Sequence, residues 1–106
     1  MFVLANPKTP VKWPVVIKFP TDKGEVEKKF YASFYFKSDE ELQELMLQGD
    51  IKFLKTVVAA FHELKDHLNK PIKGTPKDIE LVCSNARVKR AIISAYYEFN
   101  HGDQKN

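Results

Sequence analysis

Two runs of alternating side chains, joined by a built turn, constrain this chain more than any other feature. Trp13, Val15, Ile17 and Phe19 fall on one side of the first run, with Pro14, Val16 and Lys18 on the other. Phe30, Ala32, Phe34 and Phe36 repeat the pattern in the second run, opposite Tyr31, Ser33, Tyr35 and Lys37. A period of two specifies strands. Between the runs lies Pro20-Thr21-Asp22-Lys23-Gly24, where Asp22 can bond its own backbone and Gly24 can take positive φ. The runs should pair as an antiparallel hairpin over residues 13–37. One face is apolar and must be covered, while the face bearing Tyr31 and Tyr35 can stay partly wet. Residues 1–12, with Pro7 and Pro10, read as an extended arm leading into an edge strand.

The remainder is helical in pattern. Ser38-Asp39-Glu40-Glu41 has the form of a capping box, and its acids suit the positive end of a helix. Leu42, Leu45 and Met46 supply the apolar side, and Gly49 ends that helix. Asp50 is a second cap candidate. Ile51, Leu54, Val57, Val58, Phe61, Leu64 and Leu68 recur at helical spacing, predicting the chain's longest helix, ending near Asn69. Thr75-Pro76 starts another helix, with cap and first-turn proline in their preferred order and apolar content in Ile79, Leu81, Val82 and Cys83. Ser84 or Asn85 caps the last, whose buried stripe is Val88, Ala91, Ile92, Ala95, Tyr96 and Phe99. The expected fold is therefore α+β: an N-terminal antiparallel β-hairpin followed by about four α-helices. It forms one domain over 1–106, with 38–102 helical and 103–106 a flexible tail.

A hairpin alone is marginal in water, so its apolar face needs the helices or a neighbouring subunit. At 106 residues and 43% hydrophobic content the chain can build a core, and leaves apolar surface over for self-association. The formal charge of +3 falls short of a dense basic stripe. One cysteine, Cys83, excludes an internal disulfide and favours a reducing compartment. The N-terminus has no basic signal-peptide region, and no apolar run reaches the ~18 residues needed to span a bilayer.

Catalytic and metal patterns fail on spacing. His62 and His67 are five residues apart, about 140° round a helix, so they cannot share a metal; His62 instead faces Asp66 one turn on. His101 falls at the end of the last helix and completes no metal-ligating or catalytic spacing. Cys83 lacks a flanking histidine and reads as an inert, buried thiol. No glycine opens a phosphate-binding loop, so no catalytic residue, metal or cofactor is expected. The basic-aromatic strand Lys28 to Phe36 resembles base-stacking sheets in composition, and Arg87, Lys89 and Arg90 add a basic helix start. The RNA-recognition strand motif, however, requires a glycine and aromatic offsets that are absent here, and four strands. Nucleic acid is therefore not the expected partner.

Several segments resemble a family of phage tail assembly chaperones. They are the opening Met1-Phe2-Val3-Leu4-Ala5-Asn6-Pro7-Lys8, the Trp13-Pro14-Val15 strand, the acidic helix start after Phe36, the run Asn85 to Glu98, and the ending Gln104-Lys105-Asn106. The resemblance runs from end to end in the same order. It departs at Ala60-Phe61-His62, where the family commonly has a tryptophan-glycine stretch. The resemblance implies a non-catalytic protein of the host bacterial cytoplasm. It would bind the tape measure protein, recruit tail tube subunits, self-associate and leave before the virion is finished. Many such chaperones are made in two lengths by frameshifting; Gln104-Lys105-Asn106 can be encoded over a slippery heptamer, which would give such a second product here, the alternative being a solvated polar end. The alternatives are a small nucleic-acid-binding regulator and a structural tail component retained in the particle. The candidate interaction residues are Tyr31, Tyr35 and Lys37 on the wet side of the hairpin, and Arg87, Lys89 and Arg90 on the last helix.

Overall fold

The hairpin forms where the alternation places it. A computed structural model describes residues 9–101. In it, β1 (Val11–Thr21) pairs with β2 (Gly24–Phe34) in unbroken antiparallel register from Thr21↔Gly24 to Val11↔Phe34. Val11 and Lys12, expected in the extended arm, are already strand; residues 1–8 and the tail at 103–106 lie outside the described residues. The prolines explain how β1 tolerates them. Antiparallel ladders alternate bonded and non-bonded pairs, and Pro14 and Pro20 can stand only where the N–H would point away from β2. The even-numbered residues of β1 therefore turn their backbone groups to its free edge. A bond arriving there from outside the hairpin agrees: the Arg87 guanidinium donates to the Lys18 carbonyl at 3.0 Å.

Two capping boxes then start helices at the predicted residues. α1 (Asp39–Leu47) is capped by Ser38 with Glu41, and α3 (Pro76–Cys83) by Thr75 with Asp78. Asn85 caps α4 (Ala86–His101), its Oδ1 accepting from the N–H groups of Arg87 and Val88. Asp50 is the first residue of α2 (Asp50–Val57) rather than its cap, and it pairs with Lys89 at 3.1 Å.

The predicted helix from Ile51 to Asn69 is the main correction. It stops at Val57, and the chain continues directly as β3 (Val58–His62), which pairs antiparallel with β2. The sheet has three strands in the order β1-β2-β3, β3 adding to the base of the hairpin at Tyr31–Phe34 while its turn end stays two-stranded. Beyond Glu63 (φ 60°) the chain folds back along the outer edge of β3. The Ile72 N–H donates to the Leu64 carbonyl at 2.9 Å and the Phe61 N–H to the Lys73 carbonyl at 3.0 Å. Asp66, expected to serve His62 on a helix, instead accepts the N–H groups of Leu68 and Lys70 within this loop. His62 bonds across the sheet, its Nε2 lying 2.8 Å from Ser33 Oγ.

The inner sheet face and one side of α4 form the core. Val15, Ala32, Phe34, Leu54, Val57, Ile92 and Tyr96 are fully buried. Tyr96 and Phe99 of α4 sit among Trp13, Phe34, Phe36 and Phe53, with edge-on contacts of 5.2 Å (Phe34–Tyr96) and 5.4 Å (Phe53–Tyr96) and a 4.3 Å stack (Phe36–Phe99). Burying each such side chain contributes about 1.5–3 kcal/mol. The exit of β2 is tied to the end of α4 through polar groups. Asn100 accepts the Lys37 N–H and donates to the Lys37 carbonyl, both at 3.0 Å, while the Tyr96 hydroxyl donates to the Tyr35 carbonyl at 2.8 Å. Several expected core positions face solvent instead: Met46, Ile51, Leu68 and Leu81 are exposed, whereas Phe53 is buried.

Candidate functional site

Because α4 packs on the inner face of the sheet near its β1 margin, it runs beside the free edge of β1. Between them lies a groove of about 560 Å³. Its floor and walls come from Pro14, Val16 and Ile17 on β1 and Ala91, Ser94 and Ala95 on α4. Lys18, Arg87 and Arg90 stand at one end, and Glu98 at the other. The small residues Ala91 and Ala95, one turn apart, keep the α4 wall low. Val16 remains 42% exposed, which leaves apolar surface uncovered on the strand wall.

The structure separates the six predicted interaction residues. Arg87 and Arg90, both exposed, meet at the groove. Lys89 points elsewhere, to Asp50 of α2. Tyr31 is half-buried on the outer sheet face, opposite Pro14 on one side and His62 on the other. The ammonium groups of Lys12 and Lys29 lie 5.0 and 5.8 Å from its ring centre. Tyr35 and Lys37 follow the strand end, where their backbone groups are held by Tyr96 and Asn100, and Lys37 borders a small hollow with Glu41 and Glu44.

Pro14, Val16, Lys18 and Glu98 escaped the sequence reading as site residues. The even-numbered residues of β1 looked only like the wet side of a hairpin. Their alternation with the buried set was the available signal, but it could not say that a helix would flank them. A second hollow, of about 310 Å³, lies between α1 and α4, bordered by Asp39, Leu42, Met46, Tyr97 and His101. Beside it, Met46 and Leu47 are 57% and 88% exposed.

Among the described residues no group of three or more His, Cys, Asp or Glu side chains could hold a metal, and no helix is long and apolar enough to cross a membrane. Cys83 is half-buried, and burial pushes its thiol above its ordinary pKa, away from the reactive thiolate. The groove presents apolar surface from Pro14, Val16 and Ala91 beside the charges of Lys18, Arg87, Arg90 and Glu98. Compared with known proteins, the chain matches no family model, no curated protein and no solved structure.

Proposed function

We propose that this chain is a non-catalytic tail assembly chaperone of a long-tailed phage or prophage. It binds the tape measure protein in the host cytoplasm and recruits tail tube subunits while the tail is built. The observation that carries the reading is the groove between β1 and α4. It combines an apolar floor with a cationic end, a form suited to holding amphipathic helices that would otherwise aggregate. Residues from two of the segments that carry the family resemblance line it: Pro14 of Trp13-Pro14-Val15, and Arg87, Arg90, Ala91, Ser94, Ala95 and Glu98 of the run Asn85 to Glu98. The exposed Met46 and Leu47 on α1 give a second apolar surface, available to tube subunits or to another copy of the chain.

Co-expression with the products of neighbouring genes tests the reading. Its gene should lie between a tail tube gene and a very long tape measure gene, and the purified chain should retain the tape measure product. Its absence from purified virions separates the chaperone from a structural component. Capture of neither partner defeats the proposal. One observation favours a second reading, a nucleic-acid-binding regulator: Lys12 and Lys29 flank the Tyr31 ring on an open sheet face. Salt-sensitive DNA or RNA binding, lost in Tyr31→Ala, would support that reading instead.

A further inference from the structure

The groove has ends of opposite charge, and among the described residues Arg87, Arg90 and Glu98 are in no ion pair with one another or with a neighbour. The ion pairs Lys55–Glu80 and Lys89–Asp50 both lie away from the groove. Arg87 donates to the Lys18 carbonyl, which fixes its guanidinium at the rim without cancelling its charge. The α4 dipole has the same polarity, positive at the Arg87 end and negative toward Glu98. From Arg87 to Glu98 the wall runs about 16 Å, three turns of helix.

We propose that the groove takes a three-turn amphipathic helix of a partner protein, lying antiparallel to α4. Its apolar side chains rest on Val16 and Ala91, carboxylates near its C-terminal end meet Arg87 and Arg90, and a cation near its N-terminal end meets Glu98. The antiparallel direction also brings the negative end of the incoming helix dipole to the arginines. This rests on the chaperone reading and adds to it the charge pattern and direction of the bound segment. The chain's own α1 in a second copy is the competing occupant, but its polarity is wrong. Its acids, Asp39, Glu40 and Glu41, gather at its N-terminal end, and Leu42 and Leu45 are buried in its own core.

Two synthetic amphipathic peptides of about 14 residues, long enough for three turns and loose ends, make the test. They share one composition, with acids in the last turn and lysines in the first, or the reverse. Fluorescence anisotropy with the full chain should show the first binding at least about tenfold tighter at about 0.05 M salt, with the gap narrowing at about 0.5 M. The double variant Arg90→Glu/Glu98→Lys should invert the preference. Both positions are exposed, so its melting should match the parent. Equal binding of the two peptides, or a preference that survives the double variant, overturns the inference. So does a concentration-dependent dimer lost in Arg90→Glu without any peptide preference, which would give the groove to a second copy. Capture of the tape measure protein separates the two levels. If parent and double variant capture it equally, the groove assignment falls and the chaperone reading stands. If the parent captures none while peptide preference inverts, the reverse holds.

Discussion

Replacing Gly74 by alanine should unfold the edge of the sheet more effectively than any other glycine substitution here. Gly74 has φ +111°, and a Cβ built on it would lie 2.9 Å from Ala60 Cα and 3.5 Å from the Ala59 carbonyl oxygen. Those atoms are backbone of β3, held from the far side by pairing with Ser33, so they cannot retreat as a side chain could. Gly24 supplies the control: its φ is +108°, but a Cβ there would meet nothing within 4 Å. Positive φ costs an L-residue roughly 1–2 kcal/mol, while alanine recovers about 0.4–1 kcal/mol by restricting the unfolded chain. Gly24→Ala should therefore lose about 0.5–1.5 kcal/mol. Gly74→Ala carries the same strain plus an overpacking cost of about 1–3 kcal/mol, for a total near 2–4 kcal/mol. Urea titration followed by circular dichroism measures both, with the midpoint shifting and the slope unchanged. Equal losses in the two variants, or a Gly74→Ala loss under about 0.5 kcal/mol, would refute the close approach of Gly74 to β3.

Phe34→Ala should cost about 3–5 kcal/mol, because Phe34 is fully buried against Tyr96 and Phe99; an unchanged urea midpoint would place it outside the core. Tyr31→Ser removes a half-buried ring held between two lysines and should cost no more than about 1 kcal/mol in the same titration. Burial alone would raise the Asp78 carboxyl, but N–H groups of Lys73, Gly74 and Thr75 bond its Oδ2 and hold its pKa below the ordinary value. A lowered folded-state pKa means that its stabilisation is complete above the unfolded value, near about 4, and is lost as pH falls through the folded one. Asp78→Asn should thus be less stable at pH 7 and show a flatter fall in stability on acidification, measured by thermal melts across that range. An unchanged slope would show that the carboxylate is not coupled to folding.

Much of this fold was legible because local signals agreed with one another. Ser38 with Glu41, and Thr75-Pro76 with Asp78, start helices by bonds within a few residues, so no distant contact could overrule them. The hairpin was readable for the same reason. β3 was not, and its bulge explains why. Phe34 pairs with Val58 and Ser33 with Ala60, which leaves Ala59 as an extra residue on β3. A bulge reverses the two-residue alternation, so Val58 and Phe61, three apart, both point inward. Three is also a helical spacing, and with Leu54 and Val57 preceding them the run imitated one continuous stripe. Asn100 was illegible for a different reason. Its partner, the backbone of Lys37, lies 63 residues away, and an asparagine near a helix end has no local feature that announces a distant carbonyl.

Finding β3 changes which surfaces can receive a partner. With two strands, both edges of the hairpin would be open to strand addition, and an incoming chain could dock by main-chain hydrogen bonds. In the three-stranded sheet, β2 is paired on both sides from Tyr31 to Phe34. The outer edge of β3 is occupied by the returning loop, where the Phe61 N–H already meets the Lys73 carbonyl. Among the described residues the β1 edge remains, together with the stretch of β2 from Gly24 to Phe30 that β3 does not reach. The β1 edge is poorly furnished for pairing: Pro14 and Pro20 have no N–H to offer, and the Lys18 carbonyl accepts from Arg87. A partner approaching that edge meets side chains before it meets ladder groups. The devices that deny a strand its hydrogen bonds leave Pro14 and Val16 facing a low helix wall with arginines at its head, so the edge that resists β-pairing is shaped to accept a helix.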